Sequence, residues 1–258
     1  MEYNIRMYDY PIGKHATLYK RTITRKESDS TNTENEEETN KHFTKSYKNE
    51  ERTTDEENHC IKVSLSATKN RIYNIARSNT WDWFITLTFD RNMTDSSEYD
   101  LIVYRLQKFL NNLQQRICPN LKYLIVPELH KDNEHYHFHG LLSDCDGLQF
   151  SFSGRQDNKG NPIFNILNWK WGFTTATRVT DTQRVSSYIT KYITKESQIF
   201  LKEKNRYYCS RNIERTKPEY GVIDQDTFLE IYGKDITYAK SISIEVANQQ
   251  ISYFELSD

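Results

Sequence analysis

The chain has 258 residues, 36% of them hydrophobic and 28% charged, with a formal net charge of −1. That length suits one large domain or two small ones. No apolar run approaches the roughly twenty residues of a membrane helix, and the opening MEYNIRMYDYPIGK has no secretory apolar core. The four cysteines, Cys60, Cys118, Cys145 and Cys209, form no C-x-x-C pair. They read as reduced thiols in a cytoplasm, which sets aside a disulfide framework and a zinc ribbon.

The charge is unevenly spread. Residues 27–59 hold eleven Asp and Glu against four Lys and Arg, which leaves 31 basic and 25 acidic residues elsewhere, a net of +6. A moderately basic domain thus carries an acidic insert, and the basic part suits phosphate binding as well as ordinary solvation. Aromatics at 13%, including 18 Tyr, suit base stacking and a Tyr-rich core alike.

In chain order, residues 3–25 read as a hairpin turning at Pro11-Ile12-Gly13. Residues 27–59 are nearly empty of aliphatics and are expected to be a disordered linker. Residues 64–78 carry Leu65, Ile72, Tyr73 and Ile75 near a helical repeat, with Ser64 or Ser66 as cap. WDWFITLTFD, residues 81–90, predicts a strand with Trp83, Ile85, Leu87 and Phe89 on one face. Phe84, Thr86, Thr88 and Asp90 then take the other face, and two threonines in register suit a working surface.

Residues 98–117 predict an amphipathic helix that buries Leu101, Tyr104, Leu106, Phe109, Leu110, Leu113 and Ile117. Strands follow over 121–126 and 135–142, so the order is a split β-α-β closed by an antiparallel hairpin. Residues 144–163 carry Gly147, Gly154, Gly160 and Pro162 and read as a loop or ragged hairpin. Residues 163–179 read as one or two strands broken at Gly172. Residues 180–197 predict a helix with a Thr180 and Gln183 capping box. Its buried stripe is Val185, Ile189 and Ile193, and Tyr188, Lys191, Tyr192 and Lys195 line a second face. A basic tail (Lys202, Lys204, Arg206, Arg211, Arg215, Lys217), a short helix near Phe228 and strands over 242–246 and 251–256 complete the chain.

The chemistry concentrates in LIVPELHKDNEHYHFHGLL, residues 124–142. His135, His137 and His139 alternate, so one face of a strand would carry all three imidazoles. Glu128 can add a carboxylate, and that donor set suits Mg²⁺, Mn²⁺ or Zn²⁺. Tyrosine is a poor nucleophile at its usual pKa of about 10. It becomes useful where a metal polarises the electrophile and a cation such as Lys191 eases ionisation.

WFITLTFD, HYHFHG preceded by PELHKD, and YITKYITK together resemble, in order, the three motifs of HUH-type rolling-circle replication initiators, the two-tyrosine endonucleases of single-stranded phages and bacterial plasmids. The resemblance covers roughly residues 64–220. It implies an α+β fold in which a central antiparallel β-sheet is backed by helices and the active site lies on the open sheet face. It implies His137, His139 and Glu128 as metal ligands for Mg²⁺ or Mn²⁺, with His130 or His135 as further candidates. Tyr188 and Tyr192 would be nucleophiles, Lys191 and Lys195 their helpers, and Thr86, Thr88 and Arg184 DNA contacts.

The implied activity is nicking and rejoining of single-stranded or hairpin origin DNA through a 5′-phosphotyrosine bond. A host helicase and polymerase would be its partners in the bacterial cytoplasm, with no membrane involved. The expected organisation is a hairpin over 1–26 docked on the main domain, a linker over 27–59, the endonuclease domain over 60–220, and C-terminal strands over 221–258 packed on that domain. Two other readings stay open. One is a transposition or mobilisation nuclease of the same kind; the other is a metal-stabilised nucleic-acid-binding module without catalysis.

Overall fold

The computed structural model describes residues 1–24, 54–193, 204–244 and 248–257, with side chains of the first helix from Cys60 onward. The acidic stretch expected as a linker lies outside the described residues up to position 53. Lys195 and Lys202 also lie outside them. The chain divides into two units, Met1–Cys60 with Lys217–Asp258, and Ile61–Thr216. The fold is α+β, with two antiparallel sheets and, among the described residues, four α-helices. No helix among them is long and apolar enough to cross a membrane.

The central unit holds a seven-stranded sheet built from β3 (Trp83–Leu87), β4 (Lys122–Leu129), β5 (Tyr136–Ser143), β6 (Phe150–Gln156), β7 (Pro162–Ile166), β8 (Thr174–Arg178) and β9 (Tyr208–Cys209). Their spatial order is β6-β7-β8-β3-β5-β4-β9. β5 lies between β3 and β4 and is antiparallel to both, which is the split β-α-β arrangement. The connecting helix is α2 (Tyr99–Arg116).

Alternation along the strands gives the sheet two different faces. Trp83, Ile85, Leu87, Ile125, Phe138 and Leu142 point toward Ile102, Leu106, Phe109, Leu110 and Leu113 of α2 and form the larger core. The buried stripe of α2 starts at Ile102, whereas the sequence pattern suggested Leu101 and Tyr104; Tyr104 is exposed. The spacing 102, 106, 109, 113 follows the helical repeat, and Tyr104 lies about 160° beyond Ile102 on it at 3.6 residues per turn.

The opposite face meets α1 (Thr54–Arg77) and α3 (Thr182–Ile189). Ile72, Ile75, Ala76, Ile189 and Ile193 cover Leu124, Val126 and Leu141 there, with Trp81 at the edge. Helix α1 begins at Thr54, ten residues before the Ser64 start expected from the sequence, since extending a formed helix costs far less than nucleating one. Helix α3 also differs from its expected start. Its cap is Asp181, whose carboxylate accepts from the Arg184 amide at 2.8 Å, in place of a Thr180 box. The α-helix stops at Ile189 and tightens into a 3₁₀ turn over Thr190–Tyr192.

The terminal unit is a five-stranded sheet of β1 (Glu2–Asp9), β2 (Lys14–Thr24), β10 (Glu219–Gly221), β11 (Ile236–Ile244) and β12 (Gln249–Leu256), in the order β10-β1-β2-β12-β11. The N-terminal hairpin is therefore laddered on both sides to C-terminal strands. Helix α4 (Gln225–Tyr232) covers one face through Phe228, which is fully buried against Ile5, Leu18 and Phe254.

Candidate metal and tyrosine site

The site grows from the same alternation. On the face that meets α1 and α3, β4 carries Leu124, Val126 and Glu128, while antiparallel β5 carries Leu141, His139 and His137. The aliphatic half of these strands lies under the two helices; the polar half continues beyond them. Register places Glu128 directly across from His137, and His139 across from both Val126 and Thr86.

The Glu128 Oε2 atom lies 2.7 Å from His137 Nε2 and 2.7 Å from His139 Nε2. Burial works to raise the Glu128 pKa, but the hydrogen bonds from the two imidazoles outweigh it and hold the carboxyl at about 2. Burial lowers the pKa of His139, which favours the neutral ring that metals bind. One ligand atom from each of the three residues lies within 4.8 Å of the others, so they form a group able to hold a metal ion. Two imidazoles and a carboxylate suit a divalent first-row metal or Mg²⁺. The Oγ1 of Thr86 is 3.1 Å from His139 Nδ1. A hydroxyl both donates and accepts, so it can support His139 whether Nδ1 is bare or carries the proton after Nε2 ligation.

Gly140 follows the ligand because the other face has no room. A Cβ there would collide with Ile125 Cδ1 and come 3.1 Å from the Leu124 carbonyl oxygen.

The two tyrosines differ. The Tyr192 ring stacks on His139, with centroids 3.6 Å apart and planes 11° from parallel. Burial, reinforced by a hydrogen bond with Tyr188, pushes the Tyr192 phenol well above its usual range. Tyr188 is 43% exposed and meets Tyr192 edge-on at 5.4 Å. The Nζ of Lys191 lies 5.2 Å from the centre of the Tyr188 ring. Phe84 closes the cluster, 5.4 Å from Tyr188 and 6.0 Å from His139. The structure thus gathers Thr86, Glu128, His137, His139, Tyr188, Lys191 and Tyr192. Thr88 joins the sheet edge through its backbone, and Arg184 is exposed near the start of α3.

His135 stands apart from this group. Its Nδ1 is 2.9 Å from Asp132, which also accepts from Arg91 at 2.9 Å and from the amides of Glu134 and His135. Of the three alternating histidines, two reach the carboxylate and the first is held by the turn. His130 sits nearby, its ring 5.5 Å from that of His137. Asp132 was not singled out from the sequence; its signal was an Asp-Asn pair in a tight turn, and Asn133 has φ 57°. The His139 and Tyr192 stack had no sequence signal, since the two residues come from distant elements. Within the basic tail, Lys204 pairs with Asp100 at 2.6 Å, and Arg206 ties to Ser64 and Thr68 of α1. Both are thereby engaged in the unit's own packing.

Residues 82–197 match a family model of replication-associated proteins of the ORF2 type. No curated protein and no solved structure matches the chain. The matched span runs from just before β3 to beyond the 3₁₀ turn and includes every residue of the cluster. Over that span the chain is similar to a replication-associated protein family, and the likeness supports a role in the initiation of DNA replication.

Proposed function

We propose that the chain is a replication initiator that nicks and rejoins single-stranded DNA by tyrosine transesterification, as in rolling-circle replication of a phage or plasmid. The observation that carries this reading is the placement of Tyr188 and Tyr192 beside the Glu128, His137 and His139 group. Those three residues would hold Mg²⁺ or Mn²⁺. A metal bound there supplies Lewis acidity at the scissile phosphate.

The chain's own residues do the rest. Tyr188 is the exposed phenol, and Lys191 beside its ring favours the phenolate. The phenolate oxygen attacks phosphorus, the bond to the 3′ oxygen breaks, and that oxygen leaves as a 3′-hydroxyl after taking a proton. The 5′ end stays on the enzyme as a phosphotyrosine. A later 3′-hydroxyl reverses the step and rejoins the strand. Tyr192, stacked on His139, would serve the second transfer once that stack opens. Thr86 holds the His139 ring, while Thr88 and Arg184 lie where the strand would pass. A host helicase and polymerase in a bacterial cytoplasm would extend the freed 3′ end.

Covalent capture tests this. The protein is incubated with labelled single-stranded DNA from its own replicon, with Mn²⁺ or with EDTA, and run on a denaturing gel. We expect a metal-dependent adduct that falls at least tenfold in Tyr188→Phe, less in Tyr192→Phe, and vanishes in the double variant. Tight binding with no adduct on any replicon fragment would sink the reading in favour of a binding module.

A further inference from the structure

The terminal unit carries a second surface with the chemistry of nucleic-acid binding. Alternation splits its sheet into two faces. One face packs on α4. On the other, the register sets Arg6 across from Tyr220 and Thr17, Thr17 across from Tyr253, and Tyr253 across from Lys240. Tyr19 and Tyr238 share that face by the same register. Tyr3 lies there too, its ring 5.9 Å from Tyr19 and 4.7 Å from Tyr220, edge-on to both. The Arg6 guanidinium lies 5.5 Å from the centre of the Tyr8 ring.

Charge is segregated to match. Asp224, Asp226 and Glu230 belong to α4 and its cap, on the far side. The tyrosine face carries Arg6 and Lys240, and among its described strand residues the carboxylate is Glu255, placed 2.7 Å from His15 Nδ1. A solvated sheet face needs only polar side chains. Here Tyr238, on the edge strand, is 54% exposed, and Lys240 beside it on the same face is exposed as well. Flat aromatic rings interleaved with cations form a platform on which successive bases stack while phosphates meet the cations.

We propose that this sheet face of the terminal unit binds single-stranded DNA, with bases on Tyr238 and Tyr253 and phosphates on Arg6 and Lys240. The choice of ligand rests on the nucleic-acid reading above, but not on the tyrosine chemistry. The face would hold a strand without sequence preference, while the central unit reads and cuts.

The deciding experiment uses the unmodified full chain with an oligothymidylate carrying 5-iododeoxyuridine, in EDTA so that no nicking contributes. Irradiation followed by peptide mapping should place crosslinks on peptides containing Tyr238 or Tyr253. The paired variant Tyr238→Ser with Lys240→Ser, at exposed edge positions, should then bind fluorescein-labelled oligothymidylate about tenfold more weakly, as loss of one stacked base implies. Its salt slope should fall by about 0.7 for the one phosphate contact removed. Crosslinks confined to residues 61–216, or an affinity and salt slope unchanged in the variant, overturn the proposal. The gel assay for the adduct stands apart, because it reads Tyr188 and the metal, so either idea can fail alone.

Discussion

Three side chains from two adjacent strands make the metal group, and all three are legible in the sequence. His137 and His139 share a face because strand side chains alternate, and Glu128 reaches them because β4 and β5 pair with Glu128 across from His137. The sequence did not reveal that His135 would drop out. That depends on Asp132, which captures it in the turn. Thr86 is the residue whose role can be tested most cleanly. Thr86→Val removes the hydroxyl 3.1 Å from His139 Nδ1 while keeping the shape. Calorimetric Mn²⁺ affinity should fall about tenfold, as is usual when a ligand imidazole loses its outer partner, and Thr86→Ser should restore most of it. Gly140 tests packing at the same spot. Gly140→Ala drives a Cβ into Ile125 and should lower the urea midpoint by an amount worth about 1–3 kcal/mol. An unchanged midpoint would show that the α2 side of the sheet has slack there.

At the scale of elements, α3 decides whether the tyrosines reach the metal group. Its stripe of Val185, Ile189 and Ile193 was legible as helical spacing, and both isoleucines are fully buried. Its ends were not legible. Thr180 and Gln183 match a capping box in letters, but Asp181 is the residue that accepts from the Arg184 amide. A short helix that then tightens to a 3₁₀ turn places Tyr192 on His139 and leaves Tyr188 outward. Two substitutions separate the helix's stability from its chemistry. Asp181→Ala should cost about 1 kcal/mol through the lost cap, whereas Ile189→Ala should cost about 2–5 kcal/mol through the lost core contact. Denaturant melts of both variants give these numbers. Equal costs would mean that α3 is held mainly by its cap.

At the scale of the whole molecule, the chain closes its first segment on its last. The β1–β2 hairpin pairs with β10 and β12, and α4 caps that sheet. An isolated two-stranded hairpin is marginal in water. Deleting residues 217–258 should therefore strip hydrogen-exchange protection from residues 2–24 while residues 83–143 keep theirs. Retained protection in the hairpin would show that it folds on contacts other than the C-terminal strands.

Local pattern alone carried much of this protein. Alternation set the two faces of β3 and β5, the helical repeat set the apolar side of α3, and the order of strand, helix, strand, strand set the split β-α-β core. These hold because periodicity is a property of neighbouring residues, and burial of the apolar face then has one solution. The motifs likewise named Glu128, His137, His139, Tyr188 and Tyr192, since the donor types suited to a metal and a phosphodiester are few. Tertiary structure decided what local pattern cannot encode: which histidine leaves the cluster, which tyrosine stacks on a ligand, why Gly140 must be small, and that the N-terminal hairpin shares a sheet with the C-terminal strands. Each of these depends on contacts between residues far apart in sequence, and such contacts exist only once the chain has closed on itself.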